Sequence, residues 1–360
     1  MTYYKTLDSI RAFAVFLVIF SHWVHNDIVL ALHFGDAGVD IFFVLSGFLI
    51  THNLLKEKKD SSNNLGIKFK HLKNFIIRRS LRIFPIYYIL ILVLALVGTK
   101  TYTSIGENLA YYLSYTSNIL FFRTQQWDGM LSHLWSLAVE EQFYLIWPWL
   151  IIFVPEKHVF KVIIGSFIFG ILSTFVLKAI FPGKDMLDVL TPTCFDAFSL
   201  GGIWAYLKVY QIEKIEHYKR AFVKIGILCF VFFLFREIYQ FDPIIPNRTF
   251  ISIIALALII FAIEFNNTWV HDFILENRFL IFIGKISYGV YLFHPIIPWA
   301  WNEVYLQMAA SFDFIHQIPI ENIAVRALFF TSRFALLIVF CWFSFTYFEN
   351  PINKLKHRFK

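Results

Sequence analysis

Two ionisable residues, Arg11 and His22, interrupt the first apolar stretch of this chain, which runs from about Leu7 to Leu32. A guanidinium binds anions through a planar fork of donors, and an imidazole takes or gives a proton near neutral pH. Eleven residues along a helix amount to three turns plus about 20° and a rise of about 16 Å, so the two side chains share one face at two depths. Asp8 stands one turn before Arg11 and can pair with it. Charged groups inside a membrane span are costly and usually face a cavity or a partner. An Arg–Asp pair at the membrane surface beside a hydrogen-bonded histidine is the plain structural alternative.

Three more segments carry chemistry. In RRSLRIFPIYY, Arg78, Arg79 and Arg82 precede an apolar run, with Arg79 and Arg82 on one helical face. Such arginines suit phosphate, and they also serve as topology signals or headgroup anchors. In HLWSLAVEEQFYLIWP, Ser136, Glu140 and Tyr144 follow His133 at helical spacing and form one polar stripe, with Glu141 beside it. Helix capping accounts for one carboxylate near a helix start but not for two adjacent ones followed by Gln142; a carboxylate that orients a histidine is the functional account. In GKISYGVYLFHP, Ser287, Tyr291 and His294 share a face while Gly284 and Gly289 allow close packing. Asp40 and Ser46 in GVDIFFVLSGFLI read more simply as a helix cap and a small packing residue, and Asp196 and Glu349 are equally ambiguous.

The elements that must position these residues follow from composition. Hydrophobic residues make up 58% and charged residues only 16% of the 360, with 44 Phe and 10 Trp; soluble domains hold roughly 25% charged residues. The expected fold is therefore all-α, a polytopic integral membrane protein with the lipid bilayer as its solvent. A span needs about 20 mostly apolar residues, and about ten segments qualify, near 8–31, 38–55, 83–98, 134–154, 162–181, 190–208, 221–236, 249–265, 279–301 and 323–348. The first is too long for a signal-peptide core and should persist as an anchor. The stretch from about Lys56 to Asn74 reads as a polar loop, and the whole of 1–360 as a single domain. With the N-terminus inside, 23 of the 32 Lys and Arg fall on inner loops and seven on outer ones. That asymmetry places both termini in the cytoplasm. It also explains the net charge of +7 without a nucleic-acid partner. Cys194, Cys229 and Cys341 show no metal-ligand spacing and no disulfide pattern, so neither a disulfide nor a metal site is expected.

Taken in order, LDSIRAFAVFLVIFSHW, GVDIFFVLSGFLI, RRSLRIFPIYY, HLWSLAVEEQFYLIWP, GKISYGVYLFHP and FENP resemble the acyltransferase 3 family of membrane proteins over nearly the whole chain. The resemblance implies an O-acyltransferase with no permanently bound cofactor. Its co-substrate would be an acyl-CoA, commonly acetyl-CoA, entering from the cytoplasm, and its acceptor a hydroxyl of a surface glycan or lipid-linked sugar. It also implies residence in a bacterial cytoplasmic (inner) membrane. Some members carry an extracytoplasmic esterase-like domain. The sequence stops at Lys360, soon after the last apolar segment, so direct transfer or a separate periplasmic acyl-transfer partner is expected.

Combined with the residue reading, Arg11, Arg78, Arg79 and Arg82 would hold the donor and His22 would act as general base or transient acyl carrier. Glu140 or Glu141 would orient His22. Asp8, Asp40, Ser136, Tyr144, Tyr291 and His294 would bind the acceptor or support the site. The loops 99–133, 182–190, 237–248 and 302–322 would shape acceptor choice. A proton-coupled transporter or flippase is the alternative that the same intramembrane His, Arg and Glu allow.

Overall fold

A computed structural model of the chain describes residues 3–24, 33–60, 64–239, 245–266, 268–312 and 322–359. Among the described residues the regular elements are helices. They are α1 (Lys5–Trp23), α2 (Phe34–Asp60), α3 (Leu65–Val97), α4 (Ile105–Leu113), α5 (Ser117–Thr124), α6 (Leu134–Ile152) and α7 (Glu156–Ile180). These are followed by α8 (Phe195–Tyr210), α9 (Ile215–Tyr239), α10 (Asn247–Glu264), α11 (Arg278–Phe293), α12 (Ile296–Ser311), α13 (Ile323–Ser344) and the short α14 (Asn350–Lys354). The molecule is all-α and polytopic. Helices α1, α2, α3, α7, α10 and α13 are each long and apolar enough to cross a membrane, and α11 with α12, bent by 60° at their junction, would add one more to these 6.

Helices also form at the other expected segments, but α8, with 16 residues, is shorter than a full span, and α6 carries Glu140 and Glu141 in its middle. The part of the first segment beyond Val24 lies outside the described residues. One expectation fails outright. Most of the supposed polar loop at 56–74 is helical, because α2 runs on to Asp60 and α3 begins at Leu65, where the Asn64 side chain accepts from the Gly66 N–H. The lysines of this segment hid an amphipathic turn: Leu72 and Phe75 are buried, and Phe69 packs against Trp149 and Phe153. Lys58 donates 2.7 Å to the Ile151 carbonyl, satisfying the C-terminal end of α6 as a cation should. Loop 99–133 likewise contains α4 and α5, and Asn302, expected in a loop, lies within α12.

The core is centred on α2, which packs against α1, α6, α8 and α10. Its crossing with α8 is close enough that a Cβ on Gly47 would lie 2.0 Å from the Phe198 carbonyl oxygen, and one on Gly201 would lie 2.1 Å from that of Val44. Small residues at helix crossings in lipid work this way, because backbone contact replaces the hydrophobic drive that lipid cannot supply. Helices α1 and α11 run side by side in the same direction. At one end a Cβ on Gly284 would sit 1.8 Å from the Asp8 carbonyl oxygen; at the other the Trp23 indole N–H donates to the His294 carbonyl at 2.9 Å. This pairing sets the depth of Arg11 and His22 relative to the residues of α11.

Candidate active site

The Arg11 end of α1 opens on a partly open cavity with an empty volume of about 730 Å³, counting the space that merges with solvent. Three guanidiniums face it, from Arg11, Arg79 and Arg82, together with Glu140, Tyr144, Ser46, Ser136 and Tyr291. Asp8 holds Arg11 through a 2.5 Å ion pair and also accepts from the Tyr3 hydroxyl, so Asp8 is a clamp for Arg11. Arg79 lies over the Tyr144 ring, 5.2 Å from its centre, and among the described residues neither Arg79 nor Arg82 forms an ion pair. Three cations against the two carboxylates Asp8 and Glu140 leave the chamber positive, suited to an anionic guest.

A second opening, of about 520 Å³, shares Arg79 and Arg82 with the first and adds Arg78, Lys356 and Asn353 at its rim. Arg78 is held by Glu57 at 2.9 Å and by the Phe359 carbonyl at 3.1 Å, which ties the C-terminal segment to α3. Buried Asn353 Oδ1 has no hydrogen-bond partner among the described residues. Lys356 and Asn353 escaped the sequence reading because they sit in a short basic tail after the last apolar run.

At the far end of the chamber Tyr291 meets Ser136, hydroxyl to hydroxyl at 2.5 Å. Beyond this pair stands a row of imidazoles. His22 Nδ1 lies 2.9 Å from His294 Nε2, His294 Nδ1 lies 2.6 Å from the Tyr291 carbonyl oxygen, and the His133 ring is 5.1 Å from that of His294. A carbonyl only accepts, so His294 carries its proton on Nδ1 and Nε2 is the acceptor. His22 then donates from Nδ1, and its Nε2 holds the lone pair, the form required of a general base. His294 is fully buried and His22 exposed.

The chain matches, over residues 4–349, the family model described as an acyltransferase domain, that of acyltransferase family 3. It belongs to the acyltransferase 3 family. A peptidoglycan O-acetyltransferase, OatA, from Listeria monocytogenes is 31% identical over 351 residues, covering 86% of this chain and 53% of its own length. A putative O-acetyltransferase from Staphylococcus aureus is 30% identical over 389 residues, 98% of this chain and 58% of its own length. The O-acetyltransferase OatA of another S. aureus strain is 30% identical over 381 residues, with 98% and 57% covered. This acyltransferase 3 chain thus spans between 53% and 58% of the length of these relatives. No solved structure matches it.

Within this acyltransferase 3 chain, the expected site residues separate into three groups. Arg11, Arg79, Arg82, Glu140, Ser136, Tyr144 and Tyr291 share the chamber, and Arg78 stands at its mouth. His22 and His294 meet beyond it. The two glutamates do not take up the expected position at His22. Glu140 instead accepts from Ser46 Oγ at 2.8 Å, beside the Tyr144 hydroxyl, which lies 3.2 Å from the same serine oxygen. Glu141, one residue and 100° further round α6, is buried and is not among the residues lining the chamber, its Oε1 without a hydrogen-bond partner among the described residues. Asp40 stands apart as well. It is not a cap, lying six residues into α2, and forms a 3.0 Å ion pair with Arg248, whose guanidinium also donates to the Asp188 carbonyl and lies over the Trp135 ring. That pair joins α2 to α10. Ser46, read from sequence as a packing residue, is the hydrogen-bond partner of Glu140. His133 was visible only as part of a stripe.

Proposed function

We propose that this chain is a membrane O-acyltransferase that moves an acetyl group from acetyl-CoA to a hydroxyl of a cell-surface glycan. In this reading residues 1–360 form one domain of ten spans in the bacterial cytoplasmic membrane, with both termini and the Arg78–Lys356 mouth facing the cytoplasm. The observation that carries it is the adjacency of a positively charged chamber to a histidine whose proton position is fixed by a second histidine. The nucleotide phosphates of the donor fit the mouth and Arg79–Arg82, where fork-shaped donors bind oxyanions bidentately. The pantetheine arm follows the apolar part of the chamber wall, including Phe42, Phe43 and Leu137. To reach His22 the thioester must part the Tyr291–Ser136 hydroxyl pair that ends the open space.

His22 Nε2 takes the proton of the acceptor hydroxyl as its oxygen attacks the thioester carbonyl. The tetrahedral oxyanion collapses with cleavage of the C–S bond, and the departing thiolate receives the proton from the His22 imidazolium, so that ester and CoA thiol are the products. His294, anchored by the Tyr291 carbonyl, does the orienting work. Glu140 counters the Arg79–Arg82 charge and shapes the chamber. The relative named as a peptidoglycan O-acetyltransferase supports a glycan acceptor. The test is purified protein in liposomes with labelled acetyl-CoA and a glycan: label moves to the glycan with wild type and not with His22→Ala or Arg11→Ala. Passage of glycan or metabolite across the bilayer without CoA release would favour a transporter instead.

A further inference from the structure

Helix α12 leaves the histidine row at a 60° angle to α11, beginning two residues after His294. Six residues into it, a rise of about 9 Å, Asn302 Oδ1 accepts from Arg333 Nη2 of α13 at 2.7 Å. Arg333 lies ten residues inside α13, about 15 Å from its start, and among the described residues it has no carboxylate partner. Its guanidinium rests over Phe329. Among the described residues its Nε and the indole nitrogens of Trp299 and Trp301 are buried donors without acceptors. The wall continues to the transfer centre, since Phe330, one turn before Arg333, meets the edge of Trp23 at 5.4 Å, next to His22.

Tryptophans at a membrane boundary are ordinarily an interfacial belt, with the ring N–H turned to water or headgroups. Among the described residues these indole N–H atoms are instead buried and unpaired, beside an arginine ten residues into an apolar helix, and buried unpaired donors call for an explanation. Resting on the acyltransferase reading above, we propose that Arg333, Asn302, Trp299 and Trp301 form an acceptor subsite. It would hold an acidic sugar one or two residues along the glycan from the hydroxyl acylated at His22. Aromatic faces suit the apolar faces of a pyranose, the Asn302 amide and the indole donors suit its hydroxyls, and the Arg333 fork suits an oxyanion. That oxyanion is a sugar carboxylate; a lipid headgroup phosphate presents the same chemistry to the fork.

The experiment compares equilibrium binding of two labelled tetrasaccharides, one alternating N-acetylglucosamine with carboxylate-bearing N-acetylmuramic acid and the other neutral chitotetraose. Full-length protein is held in phosphatidylcholine nanodiscs, and acetyl-CoA consumption is followed in parallel. Wild type should prefer the acidic chain. Arg333→Gln should weaken that chain about tenfold or more while leaving chitotetraose binding unchanged, Arg333→Lys should recover part of the loss, and Asn302→Ala should cost a few-fold. Equal loss of both saccharides, loss of neither, or abolition of the acidic preference by added phosphatidylglycerol would overturn the subsite. Failure of wild type to consume acetyl-CoA would instead overturn the catalytic reading, and the binding comparison would still decide this one.

Discussion

The two ends of the site are built on opposite principles. The chamber at the Arg11 end gathers charge from three helices, and among the described residues Arg79 and Arg82 are left without carboxylate partners. The row at the His22 end contains no carboxylate contact from Glu140 or Glu141 and is ordered by hydrogen bonds to backbone: His294 to the Tyr291 carbonyl and His133 to that of Leu292. An anion-binding region needs uncompensated charge aimed at an absent guest. A proton-transfer centre needs one tautomer held in place, and a neutral carbonyl does that without adding a charge to a low-dielectric site. Substitutions should therefore separate donor affinity at one end from turnover at the other.

The largest effect is expected at His22. His22→Ala should lower kcat for acetyl transfer by about 10³-fold, within the ~10²–10⁴ range for a positioned general base, with acetyl-CoA binding unchanged by calorimetry. Next, Arg79→Gln and Arg82→Gln should each weaken acetyl-CoA binding roughly 10–100-fold, the equivalent of about 1.5–3 kcal/mol for a hydrogen bond to a charged group. Their effect on kcat with saturating donor should be small. His294→Phe removes the acceptor that fixes the His22 proton on Nδ1, and should reduce kcat about tenfold at unchanged donor KM while altering the pH–rate profile. The smallest effect is expected at the mouth, where half-buried Lys356 keeps contact with solvent: Lys356→Gln should raise the donor KM a few-fold at low salt and less at high salt, as screening weakens its contribution. A variant at one end that changed the parameter assigned to the other would break the division.

What could be read from the sequence follows the range over which each signal acts. Arg11 and His22 lie on one helix, so their shared face follows from local geometry. The apolar segments announce themselves through composition and are helical where described. The His22–His294 contact joins residues 272 positions apart, and nothing local to either histidine specifies it. The neighbouring carboxylates show the same limit at its finest: one residue of helix rotation puts Glu140 in the chamber and Glu141 outside it, and that phase is set by how α6 packs against α2. The helical start of α3 was masked by lysines that resemble a loop, and Asp40 resembled a cap because its partner Arg248 stands on another helix.

The proposed division puts donor binding and proton transfer at opposite ends of one site, separated by the Tyr291–Ser136 hydroxyl pair. It is tested most directly by single-turnover measurements on wild type, Arg82→Gln and His22→Ala in proteoliposomes, with labelled acetyl-CoA varied and glycan saturating. Arg82→Gln should approach the wild-type transfer rate as acetyl-CoA is raised, and His22→Ala should bind acetyl-CoA like wild type yet transfer almost no label at any concentration. Label transfer by His22→Ala at the wild-type rate would contradict it.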